Sequence, residues 1–178
     1  MEFLATLNSI SQTKGLDFLI IGGFAVVHHG YPRETADLDL LIRKSARQDW
    51  LGLFTSLGYQ VVRDGDVFLQ LSPSNANMWP VDLMLVNDST FDKMQGQAVE
   101  AGFHGTRGPI PSAEHLLALK VHALKNARIH RFLKDFQDVE GIIRKNKFDL
   151  DSENIRQIIL KYGSVELYEK IRRACSND

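Results

Sequence analysis

Two aspartates separated by one leucine, in a segment where acidic and aliphatic residues alternate, constrain this chain more than any other feature. The segment runs from Asp37 to Arg43, and its period of two predicts a β-strand. On a strand, Asp37 and Asp39 project from the same face, where two buried like charges are unfavourable unless a cation lies between them. Carboxylate oxygens favour magnesium or manganese. An exposed edge strand with one polar face is the alternative interpretation.

A third acid, Asp82, lies inside a strand predicted over residues 79–86, between Val81 and Leu83. A lone carboxylate is costly at an apolar position of this kind. If this strand lies beside the Asp37–Asp39 strand, three carboxylates can hold two metal ions about 3.5–4 Å apart. Asp82 would then orient or deprotonate the acceptor of the reaction.

A glycine pair, Gly22-Gly23, follows a short apolar strand at residues 17–21 and precedes a short helix at residues 24–29. Glycines allow backbone amides to approach a phosphate closely, and a helix N-terminus adds partial positive charge. A double glycine alone indicates only a tight turn. The order of strand, glycine pair, helix and two-acid strand is more restrictive, and it favours a phosphate site.

Two polar residues lie between the glycine pair and the acids. Arg33 is interpreted as a clamp on a triphosphate oxygen, with an ion pair to Glu34 as the alternative. Thr35 either contributes to the same site or caps the turn before the acidic strand.

The remaining sequence predicts an α+β organisation, with mixed strands and helices first and helices alone after residue 111. The Gly102–Pro111 stretch, rich in glycine and proline, is interpreted as the boundary between these parts. Helices are predicted at 2–13, from Ser45 to Leu57, and at 90–101, 112–128, 131–146, 152–162 and 164–174, and further strands at 59–63 and 67–71.

Composition limits the other function classes. The 178 residues carry a net charge of −1, but residues 1–111 carry −4 and residues 112–147 carry +4, which suggests a cation site followed by an anion-facing surface. Cys175 is the only cysteine, so an internal disulfide and a zinc cluster are excluded. The start of the chain resembles no signal peptide, and no apolar stretch is long enough to span a bilayer. We expect a cytoplasmic protein with no membrane partner.

In the helical part, Lys120 falls on the helix line of Leu116, Ala123 and Ala127. An ammonium on this inward line is costly unless it meets an anion, and snorkelling to water is the alternative. Asp135 and Asp138 share one helix face. They are interpreted either as site residues or as surface ion-pair partners of neighbouring basic residues, Arg131 and Lys134.

Together these residues match a known pattern. Gly22-Gly23, Arg33, Thr35 and Asp37-Leu38-Asp39, with Asp82 on a later strand, resemble the signature of the DNA polymerase beta-type nucleotidyltransferase superfamily. The later run is similar to the Leu-x-x-x-Lys…Arg…Lys-Asp-x-x-Asp pattern of its abortive-infection and toxin-type branch, with the matching residues Lys120, Arg128, Lys134, Asp135 and Asp138.

The resemblance implies a small mixed β-sheet with helices on one side, followed by a C-terminal helical subdomain across a cleft. Residues 1–110 would form the nucleotidyltransferase core and residues 111–178 the helical subdomain. Asp37, Asp39 and Asp82 would bind Mg²⁺ or Mn²⁺, and Lys120 would join them in catalysis. The nucleoside triphosphate, for which ATP is the expected example, would be bound by Gly22, Gly23, Arg33, Thr35, Lys120, Lys134 and Asp135.

The implied activity is transfer of a nucleoside monophosphate to an acceptor hydroxyl on RNA, a transfer RNA end, a protein or a small molecule. The branch also implies a toxin held inactive by an antitoxin. An antibiotic-modifying enzyme is the alternative acceptor class, and a non-catalytic nucleotide-binding or partner-binding module is the alternative to an enzyme. Loss of one acid would indicate such a module, but all three acids are present.

Overall fold

The computed structural model describes residues 2–76, 78–103, 105–127 and 129–176. Its contacts divide the chain into two units. The first unit comprises Met1–Phe24 and Glu34–Pro111, and the second comprises Ala25–Arg33 and Ser112–Asp178. The division expected from sequence, at residue 110, therefore differs from these units at residues 25–33, which cluster with the later helices.

The first unit is built on a five-stranded mixed sheet in the order β1-β2-β5-β4-β3. Strands β2 and β5 run parallel, and the other neighbouring pairs run antiparallel. The strands are β1 (Leu19–Ile20), β2 (Leu38–Arg43), β3 (Tyr59–Asp64), β4 (Phe68–Pro73) and β5 (Val81–Val86). The predicted strands are thus present, although β1 is shorter than expected.

The central strands are apolar because both of their faces are covered. In β2, Leu38, Leu40, Leu41 and Ile42 are all buried, and such near-continuous aliphatic runs are typical of parallel strands inside a sheet. The accompanying helices are α1 (Glu2–Lys14), α3 (Arg47–Ser56) and α4 (Asp88–Gln95), and a 3₁₀ turn covers Lys44–Ala46. Helix α2 (Gly22–His29) begins in this unit.

A two-stranded hairpin replaces part of a predicted helix. Residues 99–101 were expected to end a helix, but α4 stops at Gln95, and antiparallel strands β6 (Val99–Phe103) and β7 (Thr106–Ile110) follow. That helical prediction is wrong. Gly108 lies within β7 against Ile20, where any Cβ would overlap the isoleucine side chain. The glycine therefore permits close packing within the first unit.

The second unit contains helices α5 (Ala113–Lys125), α6 (Ile129–Lys145), α7 (Glu153–Tyr162) and α8 (Val165–Cys175). The four helices expected after residue 111 are thus confirmed. Ser112 and Ser164 begin α5 and α8 as N-caps, since their hydroxyls accept bonds from backbone amides three residues later. Their shared core is aliphatic and comprises Leu116, Leu117, Val121, Val139, Ile142, Ile159 and Ile171.

The end of α2 is held by α6 within the second unit. Lys145 Nζ donates to the carbonyl of His28 at 2.7 Å, and Asn146 Nδ2 donates to that of His29 at 2.6 Å. These bonds satisfy carbonyls that a helix C-terminus leaves without intrahelical partners.

The α+β fold class and the mixed sheet are confirmed by this architecture. Among the helices that the structure describes, none combines the length and apolar character required to cross a bilayer.

Candidate active site

The three predicted aspartates converge in the first unit. Because β2 and β5 are parallel neighbours, Asp39 lies directly opposite Asp82, and Asp37 comes immediately before β2. One carboxylate oxygen from each residue lies within 4.8 Å of the other two. Asp82 is buried at 8% exposure, whereas Asp37 and Asp39 are half-buried. The register of two strands therefore brings three acidic side chains into one cluster.

Main-chain hydrogen bonds fix this cluster from both sides. The amide of Leu38 donates to the carbonyl of Pro80 at 2.9 Å, which aligns the starts of β2 and β5. The amide of Ile21 donates to the carbonyl of Asp39, also at 2.9 Å, which ties the residue before the glycine pair to the acidic strand. These two bonds thus align the chain segments that carry the acids.

The glycine pair lies directly against the acids. Gly22 has a φ of +58°, in the left-handed region that favours glycine, and a Cβ at this position would overlap the Asp39 carboxylate. Gly23 is buried in the first turn of α2. Two independent features, the backbone angle and the contact with Asp39, therefore require glycine at residue 22.

Thr35 lies beside the first acid. Its hydroxyl is 3.4 Å from Oδ1 of Asp37 and 3.3 Å from the backbone oxygen of the same residue. These contacts agree with a residue that shapes the turn into β2, which was the simpler of its two interpretations. A nucleotide contact by Thr35 stays a prediction.

The donor set of the acidic cluster fits a hard divalent cation. Three carboxylates supply oxygen ligands only, and their close approach concentrates negative charge in a partly buried position. A cation between them would remove their mutual repulsion. Mg²⁺ and Mn²⁺ prefer such ligands and can keep water or phosphate oxygens in their other positions. Asp37, Asp39 and Asp82 could therefore hold such an ion.

A separate ion network is buried in the second unit around Asp138, whose side chain has no exposed surface. Arg33 Nε lies 3.0 Å from Asp138 Oδ1, and Lys120 Nζ lies 2.7 Å from Oδ2. The Tyr31 hydroxyl donates to Oδ1 at 3.2 Å. Burial raises the pKa of Tyr31, and the nearby Asp138 charge raises it further, so the phenol remains a donor.

This network changes the interpretation of three predicted residues. Arg33 pairs with Asp138, whereas the sequence had suggested a triphosphate oxygen or Glu34 as its partner. The surface ion-pair alternative for Asp138 is wrong, because the carboxylate is buried and its cations are Arg33 and Lys120. Lys120 is 13% exposed and does not snorkel to water, but the anion that it meets belongs to the protein. Burial of Lys120 therefore requires no bound phosphate.

The other residues of the helical pattern are less constrained. Asp135 is 17% exposed and lies 3.7 Å from Lys120 Nζ. Lys134 is exposed on α6. Arg128 lies outside the described residues. Nucleotide contacts by Arg33, Lys120, Lys134 and Asp135 stay predictions.

Tyr31 was missed by sequence analysis. Its hydroxyl bonds to a residue 107 positions away, and its ring packs on Gly141 of α6, where a Cβ would overlap it. An isolated tyrosine before a proline carries no signal for either contact.

Comparison of the structure with known proteins identifies the fold. Two structures of ANT(2'')-Ia match it with TM-scores of 0.65 and 0.59, at 15% and 17% identity. Both matches cover 98% of this chain, and they cover 96% and 95% of the respective ANT(2'')-Ia chains. One is a solution structure of this antibiotic-resistance factor, and the other contains adenylyl-2''-tobramycin.

A further match is the lincosamide antibiotic adenylyltransferase LnuA in its lincomycin-bound form, with a TM-score of 0.56 and 17% identity. The match covers 78% of this chain and 95% of LnuA. No protein-family model matches the chain, and no curated protein matches its sequence. The chain thus has a nucleotidyltransferase fold, and the abortive-infection and toxin-type branch stays a prediction.

The Asp138 network predicts unequal stability effects for two neighbouring acids. Asp138→Asn removes a buried charge and leaves Arg33 and Lys120 uncompensated, so we expect unfolding to become easier by about 3–5 kcal/mol. Asp135→Asn is the matched control, since this partly exposed acid pairs at longer range and should change stability by less than about 1 kcal/mol. Urea denaturation measures both variants. Equal stability of the two would contradict the assigned network.

Proposed function

We propose that this protein is a magnesium-dependent nucleotidyltransferase that transfers a nucleoside monophosphate from a nucleoside triphosphate to an acceptor hydroxyl. The observation that carries this proposal is the cluster of Asp37, Asp39 and Asp82 directly beside Gly22. A set of acids that could hold a metal ion and a turn that could receive phosphates thus share one place in the first unit. The fold shared with ANT(2'')-Ia and LnuA supports the same chemistry.

Each element of the cluster has a distinct role in this proposal. The backbone at Gly22-Gly23 and the N-terminus of α2 receive the triphosphate, because backbone amides and the positive end of a helix favour phosphate. Asp37, Asp39 and Asp82 hold the metal. When bound, Mg²⁺ neutralises charge on the phosphates and lowers the pKa of the attacking hydroxyl.

The reaction is an in-line substitution at the α-phosphorus. The acceptor oxygen forms a bond to this phosphorus, the bond to the bridging oxygen breaks, and pyrophosphate leaves. Asp82, the most buried of the three acids, accepts the hydroxyl proton. Positioning and charge neutralisation supply most of the rate enhancement in such transfers.

We propose a small-molecule hydroxyl as the acceptor class. ANT(2'')-Ia and LnuA, whose fold this chain shares, are named for antibiotics, and one ANT(2'')-Ia structure contains adenylated tobramycin. An RNA end, a protein hydroxyl and a toxin role with an antitoxin remain predictions from the sequence resemblance. Incubation with labelled triphosphates, Mg²⁺ and either total RNA, cell protein or a small-molecule extract tests the class. Label confined to RNA or protein would contradict the small-molecule assignment.

Removal of the carboxylate of Asp37, which directly precedes β2, or of Asp39, which lies in β2, should abolish turnover without unfolding the protein. We expect Asp37→Asn and Asp39→Asn to slow Mg²⁺-dependent pyrophosphate release at least about 100-fold, since the charge stabilisation supplied by a metal is worth several kcal/mol. Asp66→Asn is the control, because Asp66 is an exposed acid of the same unit outside the cluster. Full activity of either test variant would refute the metal assignment.

The contact between Gly22 and Asp39 generates a second prediction. Gly22→Ala places a Cβ where the Asp39 carboxylate lies and adds about 1–2 kcal/mol of backbone strain at positive φ. We expect weaker Mn²⁺ binding by calorimetry together with lower activity. Gly52→Ala is the matched control, since open space surrounds this glycine of α3, and alanine there should stabilise the helix by about 0.5–1 kcal/mol. Unchanged Mn²⁺ affinity in Gly22→Ala would exclude this close contact.

A further inference from the structure

An aromatic side chain outside the acidic cluster lies two residues before β5, the strand that carries Asp82. Trp79 is half-buried, and Phe24 stacks on it with ring centroids 5.1 Å apart and planes inclined by 20°. Phe24 is supported in turn by Phe103, which meets it edge-on at 5.5 Å. Among the described residues, no other ring packs on Trp79. Part of its surface therefore faces solvent while Phe24 supports the ring.

The chain places this indole beside the elements of the proposed site. Trp79 directly precedes Pro80, whose carbonyl accepts the Leu38 amide at the start of β2. It is three residues before Asp82, which corresponds to about 10 Å along an extended chain. Its supporting ring, Phe24, is two residues after Gly22 in the first turn of α2. The stacked pair of Trp79 and Phe24, which is called the aromatic platform below, is thus within three residues of Asp82 and of the glycine pair along the chain.

The backbone that carries the indole is also held by a hydrogen bond. The Tyr59 hydroxyl donates to the Trp79 carbonyl at 2.8 Å. Burial raises the pKa of Tyr59 to about 12, so this donor persists throughout the neutral range. A fixed aromatic surface loses little conformational entropy when a ligand stacks on it.

The second tryptophan provides an internal contrast. Trp50 has no exposed surface and packs between Phe18 and Phe54 in the core of the first unit. Core packing accounts fully for Trp50. It does not account for the surface that Trp79 keeps exposed just before β5.

We propose that Trp79 stacks on the nucleobase of the bound nucleoside triphosphate. This inference rests on the proposed function, which places the phosphates at the glycine turn and the reacting α-phosphate at the acids. The base is joined to that phosphate through the sugar, so a platform about three residues from Asp82 lies within its reach. Stacking uses the ring face that every base possesses, and it therefore tolerates different bases.

Binding measurements with and without a base test this assignment. The ligands are ATP and inorganic tripolyphosphate, each with Mg²⁺, titrated by calorimetry into the full chain. We expect Trp79→Leu to weaken ATP binding about ten-fold, within the range found for base–aromatic stacking, and to leave tripolyphosphate binding unchanged. Trp79→Phe keeps an aromatic face and should restore most of the ATP affinity.

Fluorescence provides a readout that does not depend on the folding of Trp79→Leu. In Trp50→Phe, Trp79 is the only indole, and ATP should quench its emission whereas tripolyphosphate should not. In Trp79→Phe, only the buried Trp50 remains, and ATP should leave its emission unchanged.

Each of four results would overturn the inference, and only the last also bears on the proposed function. Equal ATP affinity in wild type and Trp79→Leu, or no quenching in Trp50→Phe despite ATP binding, would overturn the stacking alone. Quenching by an acceptor molecule but not by ATP would assign the indole to the acceptor instead. If the wild-type protein binds neither ATP nor tripolyphosphate, the proposed function is contradicted as well.

Discussion

The mutual repulsion of three carboxylates is the constraint on which this structure depends. Asp39 and Asp82 lie opposite each other on parallel strands, and Asp37 is two residues from Asp39, so the sheet register holds like charges together. A shift by one residue would point these side chains to the other face of the sheet. The main-chain hydrogen bonds from Leu38 to Pro80 and from Ile21 to Asp39 hold this register. The sheet thus maintains an electrostatically unfavourable cluster, which a divalent cation would relieve.

The acidic side chains of the two units have different surroundings. In the second unit, Asp138 is paired with Arg33 and Lys120, so the charges compensate one another within the protein. In the first unit, one carboxylate oxygen from each of three acids lies within 4.8 Å of the other two. A compensated network is typical of a structural element, whereas a concentrated negative charge is typical of a metal site. This difference is why the proposed chemistry rests on the acids and not on Lys120.

Local patterns predicted the acidic cluster well, because alternation along β2 and an acid within an apolar strand are properties of a few adjacent residues. The pairing of β2 with β5 was stated as a condition, and the structure supplies it. Features that depend on distant contacts were not predictable. Strand β6 alternates apolar residues at 99, 101 and 103, but Gly108 and Pro109 weaken the strand signal of its partner β7. Arg33 meets a carboxylate 105 residues away. The glycine at residue 22 was expected to approach a phosphate, but its contact with Asp39 emerged only from the structure.

The central claim is that Asp37, Asp39 and Asp82 together bind a divalent metal ion. Anomalous diffraction from crystals of the protein soaked in Mn²⁺ tests it most directly, because the ion is located without reference to activity. The account predicts an anomalous peak bordered by oxygens of all three carboxylates, close to the backbone of Gly22. Crystals that bind Mn²⁺ only elsewhere, or not at all at saturating concentration, would contradict it.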